Sequence, residues 1–208
     1  QYITLNPMVN RGFTPEGVRW ALTTNYLAQW HPLTWFGHMA NCQVFGLEPH
    51  GHIAVNLWFH VMNVLALFWL LAEATGRLRE SALAAAIFAV HPLQVESVTW
   101  ACQLKTMLAT FFALMALIAY VAYARAPGRW AYARVTLAMG LSLCSKMMGV
   151  TLPCLFLLLD FWPLGRVPDG WRRPVPPWPL VREKLPWFAL ACAGAVVKLT
   201  HRALGHQL

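Results

Sequence analysis

The sequence predicts an all-α polytopic membrane protein, a helical bundle of about six spans with juxtamembrane helices on its outer face, and three observations carry that reading. Hydrophobic residues make up 58% of the 208 positions and charged residues only 12%, where a soluble domain carries about a quarter charged residues. Residues 52–72 (HIAVNLWFHVMNVLALFWLLA) contain no Lys, Arg, Asp or Glu, enough chain to cross about 30 Å of hydrocarbon as a helix. The 16 Lys and Arg outnumber 8 acids, yet they fall in short groups between apolar runs. Nucleic-acid binding requires them striped along one polar face, so nucleic acid is excluded as a partner. Residues 1–51 form an outer-face loop with juxtamembrane helices, and residues 52–208 one transmembrane bundle. The chain opens on QYITLNPMVNRG, with neither an initiator Met nor a signal peptide, and so reads as a fragment, incomplete at both ends.

In the outer segment, Thr14 as N-cap and Pro15 at the first helical position start a helix over 14–28, with Val18, Ala21 and Leu22 on one face lying on the membrane surface. A second short helix starts at Pro32. The first span, 52–72, carries His52, Asn56, His60 and Asn63 at helical spacing, a polar stripe that faces protein and not lipid. The second apolar run stops at His91-Pro92, because the residue before a proline is pushed out of helical geometry. A helix from Arg79 to Val90 then reaches only about 18 Å, which leaves HPLQVES as irregular backbone recessed in the membrane, lining a protein-walled cavity. Residues 104–124 form the third span. Residues 131–163 are too long for one crossing, about 50 Å as a continuous helix, and Lys146, Gly149 and Pro153 divide them into a tight pair of short helices. Pro186 to Thr200 is the sixth span, preceded by a Pro-rich basic loop, RVPDGWRRPVPPWPLVREK.

Lys and Arg of short loops accumulate on the cytoplasmic side. Arg77 and Arg79, then Arg125, Arg129 and Arg134, then Arg166, Arg172, Arg173, Arg182 and Lys184 share one side only if 131–163 is a hairpin. The opposite face then collects residues 1–51, HPLQVES, Lys105 and Lys146. Trp20, Trp30, Trp35 and Trp100 there, and Trp69, Trp130, Trp171 and Trp187 at the other side, suit interfacial belts. The 5 Cys form no CxxC pair. Cys144, Cys154 and Cys192 read as packed small hydrophobes, and Cys42 with Cys102 as the one pair that a disulfide would join.

Glu96 is the only acid between Glu80 and Asp160, and this topology sets it in a recessed outer pocket. An ionisable group there is a functional candidate, because its burial is costly unless it is paired. The competing reading is an acid held by Lys105 or His91 merely to fix the loop. Lys105 and Lys146 stand at outer ends of apolar segments, where an ammonium meets the phosphate of a lipid carrier; the alternative is ordinary snorkelling. His31, His38, His50, His52, His60 and His91 show no HExxH spacing and no matched Cys, so neither metal nor haem is expected. A nucleophilic triad and a phosphate-cradling Gly-rich loop have no signature either.

The strings NYLAQWHPLTWFGHM, NCQVFGLEPHGH, HPLQVESVTW, SKMMGVTLP, LLLDFWPLGR and REKLPWFAL resemble, in order and over nearly the whole chain, the membrane half of the transmembrane and tetratricopeptide-repeat-containing family. That family comprises O-mannosyltransferase-like proteins of the GT-C glycosyltransferase superfamily and bacterial relatives. The resemblance implies a GT-C-like bundle, a polyprenyl-phosphate-linked sugar (mannose or another hexose) as donor, a hydroxyl of an acceptor protein, and no cofactor. It implies an active face that is periplasmic or lumenal, in the bacterial inner membrane or the endoplasmic reticulum membrane. Glu96, His91 and His38 match as catalytic residues, Lys105 and Lys146 as donor-phosphate ligands, and His31 matches as well. Asn41 stands where the family often has Asp, the family's ERKD stands here as Gln103, Leu104, Lys105 and Thr106, and Met147 replaces a Pro. The acid pair that the family carries before QYITLNP falls ahead of Gln1, and the repeats are absent from these residues. Three readings follow: a GT-C glycosyltransferase, whole or as a fragment; a noncatalytic scaffold or pseudoenzyme relative, left open by Asn41, Gln103 and Thr106; and a lipid-linked sugar transporter, whose inverted repeats are not seen.

Overall fold

Proline decides where the first helices begin. Pro7, Pro15, Pro32 and Pro49 open helices α1 (Pro7–Asn10), α2 (Pro15–Thr23), α3 (Pro32–Phe45) and α4 (Pro49–Thr75), because the first helical position needs no N–H and wants the φ that the ring imposes. Asn6 and Thr14 cap the first two through their side chains. The computed structural model describes residues 2–24, 26, 30–167 and 177–205, with side chains as far as 200, and the described residues form helices and no strand. After α4 come α5 (Leu78–Val90), α6 (Leu93–Thr99), a 3-10 turn (Ala101–Gln103), α7 (Leu104–Arg125), α8 (Arg129–Ser145), a second 3-10 turn (Met147–Thr151), α9 (Leu152–Phe161) and α10 (Trp178–Gly205).

The surface helix expected over 14–28 ends at Thr23, and residues 25 and 27–29 lie outside the described ones. Its buried side is Gly17 and Ala21, whereas Leu22 is half exposed. Gly17 decides that side, since a Cβ there would stand 2.9 Å from the Met8 carbonyl oxygen. The helix from Pro32 is longer than expected, 14 residues. It crosses the start of α7 at Gly37, where a Cβ would come within 2.9 Å of Leu104 Cδ2, and this close approach seats the amino-terminal segment on the bundle.

Among the described residues two helices are long and apolar enough to cross a membrane, Pro49–Thr75 and Ala101–Arg125. α5 and α6 form a bent pair, turned by 61°, which makes a third crossing if taken as one. The break falls at His91-Pro92 as the sequence predicts, but the irregular, cavity-lining HPLQVES does not follow. Proline excludes helix only on its amino-terminal side; Pro92 itself sits at φ −55° and starts α6. No residue of α6 is buried, and His91 and Glu96 are exposed instead of recessed.

The polar stripe of α4 faces protein, and the structure shows why. His52, Asn56, His60 and Asn63 are all buried, and each meets a backbone carbonyl. Asn56 Nδ2 donates to Val98 O at 3.3 Å and Trp100 O at 2.9 Å, and Asn63 Nδ2 to Met107 O at 3.2 Å. His60 Nε2 lies 3.0 Å from Ala89 O and His52 Nε2 3.0 Å from Gly46 O. Ala89 and Val98 lie in the last turns of interrupted helices, whose final carbonyls have no intrahelical donor, while Trp100 O also accepts the Gln103 N–H at 2.8 Å.

The hairpin expected in 131–163 forms. α7 carries Thr106 at one end and Tyr120 toward the other, about 21 Å apart along its axis. α8 returns to place Lys146 Nζ 3.0 Å from Thr106 Oγ1, and α9 runs back to place Asp160 Oδ1 2.6 Å from Tyr120 Oη. α10 then brings Gly194 against Met147. It begins at Trp178, ahead of the expected Pro186, which lies inside the helix. α8 and α9 span 17 and 10 residues, shorter than α4 and α7, and the 28-residue α10 contains Pro186 and carries charge from Arg182 to Arg202.

Two expected belt tryptophans are core residues, because each has packing partners that sequence does not reveal. Trp35 is fully buried, stacked 4.8 Å from Tyr2. Trp187 is fully buried too, stacked 4.4 Å from Tyr132 with its Nε1 donating to Thr136 Oγ1 at 2.8 Å. Trp69, Trp100 and Trp130 are exposed as belts require, and Trp171 lies outside the described residues. All five cysteines are free, so Cys42 and Cys102 form no bridge; Cys154 and Cys192 are exposed, not packed.

Because Asn56 satisfies two carbonyls at once, Asn56→Leu is expected to destabilise the bundle by about 1–2 kcal/mol. Gln43→Leu, at an exposed position, serves as control. Thermal unfolding of both variants in detergent checks this, and equal melting temperatures would show that the stripe is dispensable.

Candidate functional site

The end of the bundle that carries the amino-terminal segment also carries most of the residues singled out in the sequence. Gln103 closes the 3-10 turn before α7, Thr106 sits in the first turn of α7, Glu96 lies on α6, and Lys146 is the C-cap of α8. They form one hydrogen-bonded line. Lys146 Nζ donates to Thr106 Oγ1 at 3.0 Å, Thr106 Oγ1 donates to Gln103 Oε1 at 2.7 Å, and Gln103 Nε2 donates to Glu96 Oε1 at 3.3 Å. Every bond points the same way, from ammonium to carboxylate, so each polarises the next. Glu96 is thus held by Gln103, and its second oxygen, Oε2, has no hydrogen-bond partner among the described residues.

Lys146 is half-buried and uses one of its three N–H groups on Thr106. Lys105 and Lys198 both add positive charge near it. Thr34 of α3 fixes this corner by donating to Ser145 O at 2.8 Å, and Ser142 does the same to Ala109 O at 2.9 Å. Lys105 lies over the Tyr2 ring, 5.5 Å from its centroid.

His91 and His38 stand apart from the line. His91 is exposed, and its Nδ1 accepts the Leu93 N–H at 3.2 Å, which caps α6. His38 is fully buried on α3 between Trp35 and Tyr2, and neither ring nitrogen has a hydrogen-bond partner among the described residues. Burial, with the nearby His52, His31 and Lys105, pushes its imidazole down to about 3. His31, 2.8 Å from Tyr2 Oη, is pushed by burial to about 4, and burial raises the Tyr2 hydroxyl. Asn41 is buried on the same helix. No cluster of three or more His, Cys, Asp or Glu fit to hold a metal occurs among the described residues.

The chain matches no family model, no curated protein and no solved structure.

Two groupings escaped the sequence reading. Gln103 and Thr106 look in sequence like lost charges, yet they are the two links between Glu96 and Lys146; their i, i+3 spacing at a helix start is the signal. At the opposite end, Asp160 and Lys184 are fully buried, with Lys184 Nζ 2.6 Å from Asp160 Oδ2 as an ion contact outside hydrogen-bond alignment. Arg166 bridges Asp160 at 2.9 Å and Glu183 at 3.1 Å, and Tyr120 donates to Asp160 Oδ1. Arg166 and Lys184 read in sequence as loop bases, and the lone acid in LLLDF is what marks their partner.

Because the folded segment holds His38 neutral while an unfolded histidine protonates near 6.5, the unfolded chain binds more protons between those values. Stability is therefore expected to fall as pH drops through about 6.5 and to keep falling toward about 3. Thermal unfolding measured from neutral to acid pH checks this, with His38→Leu expected to flatten the dependence.

Proposed function

We propose that this chain is the membrane part of a GT-C-type glycosyltransferase of the transmembrane and tetratricopeptide-repeat-containing, O-mannosyltransferase-like family, transferring a hexose from a polyprenyl-phosphate donor to a protein hydroxyl. The observation that carries the reading is the line from Lys146 to Glu96, a cation and an acid on one end of the bundle joined through neutral residues. In this proposal α8, α9 and α10 cross with α4, α7 and the α5–α6 pair, about six spans in a GT-C-like bundle. The end carrying Glu96 is then periplasmic or lumenal, and the basic end holding Arg77, Arg79, Arg125, Arg129 and Arg182 is cytoplasmic.

The chemistry asks for a base at the acceptor and positive charge at the leaving group. The acceptor hydroxyl oxygen attacks the anomeric carbon as the bond from that carbon to the phosphate oxygen breaks. The bonding electron pair leaves on the phosphate, and the hydroxyl proton passes to Glu96 Oε2. Lys146, with two N–H groups to spare, receives the phosphate charge at headgroup depth, and Lys105 adds to the field. His91 fixes the start of α6 beneath Glu96, and His38 acts through the packing of α3. No cofactor enters the step.

In sealed vesicles supplied with polyprenyl-phosphate mannose and an acceptor peptide, Glu96→Gln is expected to lower transfer by about 10²- to 10⁴-fold with donor binding retained. Lys146→Met is expected to weaken donor binding about tenfold, the loss of one charge-assisted contact. Undiminished transfer and binding in both variants would leave the noncatalytic scaffold as the better reading, with Gln103 and Thr106 neutral ties of a structural loop.

A further inference from the structure

The end of the bundle opposite Glu96 contains a cleft that the proposed transfer does not use. α7, α8 and α10 leave two adjoining cavities there, about 490 Å³ and 510 Å³. Tyr123 and Tyr132 line both, Arg182, Glu183 and Trp178 line the first, and Arg129 lines the second.

The charge of this cleft is not balanced. Glu183 is its acid, and its carboxylate is engaged by Arg166 at 3.1 Å and Lys184 at 3.6 Å. Arg129 and Arg182 are exposed, and neither has an acidic partner among the described residues. The other exposed arginine on this side of α7, Arg125, is by contrast paired with Glu73. Tyr123 Oη has no hydrogen-bond partner among the described residues, and Tyr132 Oη spends its proton on Glu183 O at a long 3.4 Å. One guanidinium fork therefore borders each of the two adjoining cavities, and the Tyr123 phenol, which lines both, adds a third donor, a set that matches phosphate oxygens.

The surroundings select the source of that phosphate. Trp130 and Trp178, 77% and 67% exposed, flank the cleft at the ends of α8 and α10, the depth at which indoles sit among lipid headgroups. Leu185 follows on α10, 45% exposed, so apolar surface continues from the arginines toward the hydrocarbon. Basic pockets between spans at this level take anionic headgroups.

We propose that this cleft binds the headgroup of an anionic phospholipid, with Arg129 and Arg182 on the phosphate and Tyr123 and Tyr132 beside it. The inference rests on the bundle lying in a membrane and not on the transfer reaction at the other end.

The test uses the whole chain purified in neutral detergent, with bound lipid counted by native mass spectrometry and stability followed by thermal unfolding. Phosphatidylglycerol is expected to bind and raise the melting temperature where phosphatidylcholine does not. Arg129→Gln with Arg182→Gln is expected to weaken phosphatidylglycerol binding about tenfold or more, the loss of at least one charge-assisted contact, while Arg11→Gln with Arg19→Gln in the amino-terminal segment leaves it unchanged. Equal effects of the two lipids, or full phosphatidylglycerol binding by the cleft variant, would overturn the proposal. Inorganic phosphate alone reproducing the stabilisation would overturn the lipid assignment and leave a free-anion site. Should the double variant not survive purification, Arg129→Lys and Arg182→Lys singly keep the charge but lose the fork; each is expected to weaken binding, and unchanged binding in both overturns the site.

Discussion

A helix break leaves carbonyls that the helix itself cannot satisfy, and the placing of α5, α6 and α7 in this protein follows from how a neighbouring helix meets that cost. Pro92 ends α5 and redirects the chain by 61° into α6. The Ala89 carbonyl beside this break is met by His60, and the Val98 and Trp100 carbonyls at the far end of α6 by Asn56, both from one uninterrupted neighbour, α4. α4 thereby fixes α6 and the turn that follows it relative to α7. Only with those segments fixed do Glu96 and Gln103 stand beside Thr106, and only then does Lys146 complete the line. The polar stripe of α4 is therefore a scaffold for the site without belonging to it.

The two ends of the bundle treat charge differently. At the end of Glu96, one neutral amide and one hydroxyl separate acid from ammonium, and both charged groups keep hydrogen-bonding capacity in reserve. At the other, Asp160 and Lys184 are in direct contact and fully enclosed, with Arg166, Glu183 and Tyr120 completing the set. A buried pair of that kind is costly to break, because removal of one partner strands the other charge in a low-dielectric interior. The enclosed set suits a fixed joint between α9 and α10, and the open line leaves its acid and its ammonium accessible.

Much of the frame was legible in the sequence because apolar length and periodicity are local properties. The spans at α4 and α7, the break before Pro92, the division at Lys146 and the inward face of His52, Asn56, His60 and Asn63 were all readable that way. What periodicity reports is a face, not a partner. Trp35 and Trp187 carry the composition of interfacial residues, and only their long-range contacts with Tyr2 and Tyr132 make them core. Glu96 and Lys146 were legible as sharing an end of the bundle, but their connection runs through Gln103 and Thr106, whose uncharged side chains gave no electrostatic signal. Pro92 misled in the opposite direction: its effect on His91 was plain, and its fitness to begin a new helix was overlooked.

The enclosed set at Asp160 also bears on how the protein is made. Synthesis delivers Asp160 to the membrane with Arg166 close behind it in sequence, but Lys184 and Glu183 arrive only after the intervening loop has been translated. Until then Asp160 has only Tyr120 and Arg166 as partners, and its Oδ2 side lacks the ammonium that α10 supplies. α10 is in this sense a latch on α9: it brings the ammonium of Lys184 to a carboxylate that Tyr120 and Arg166 already reach from the other side.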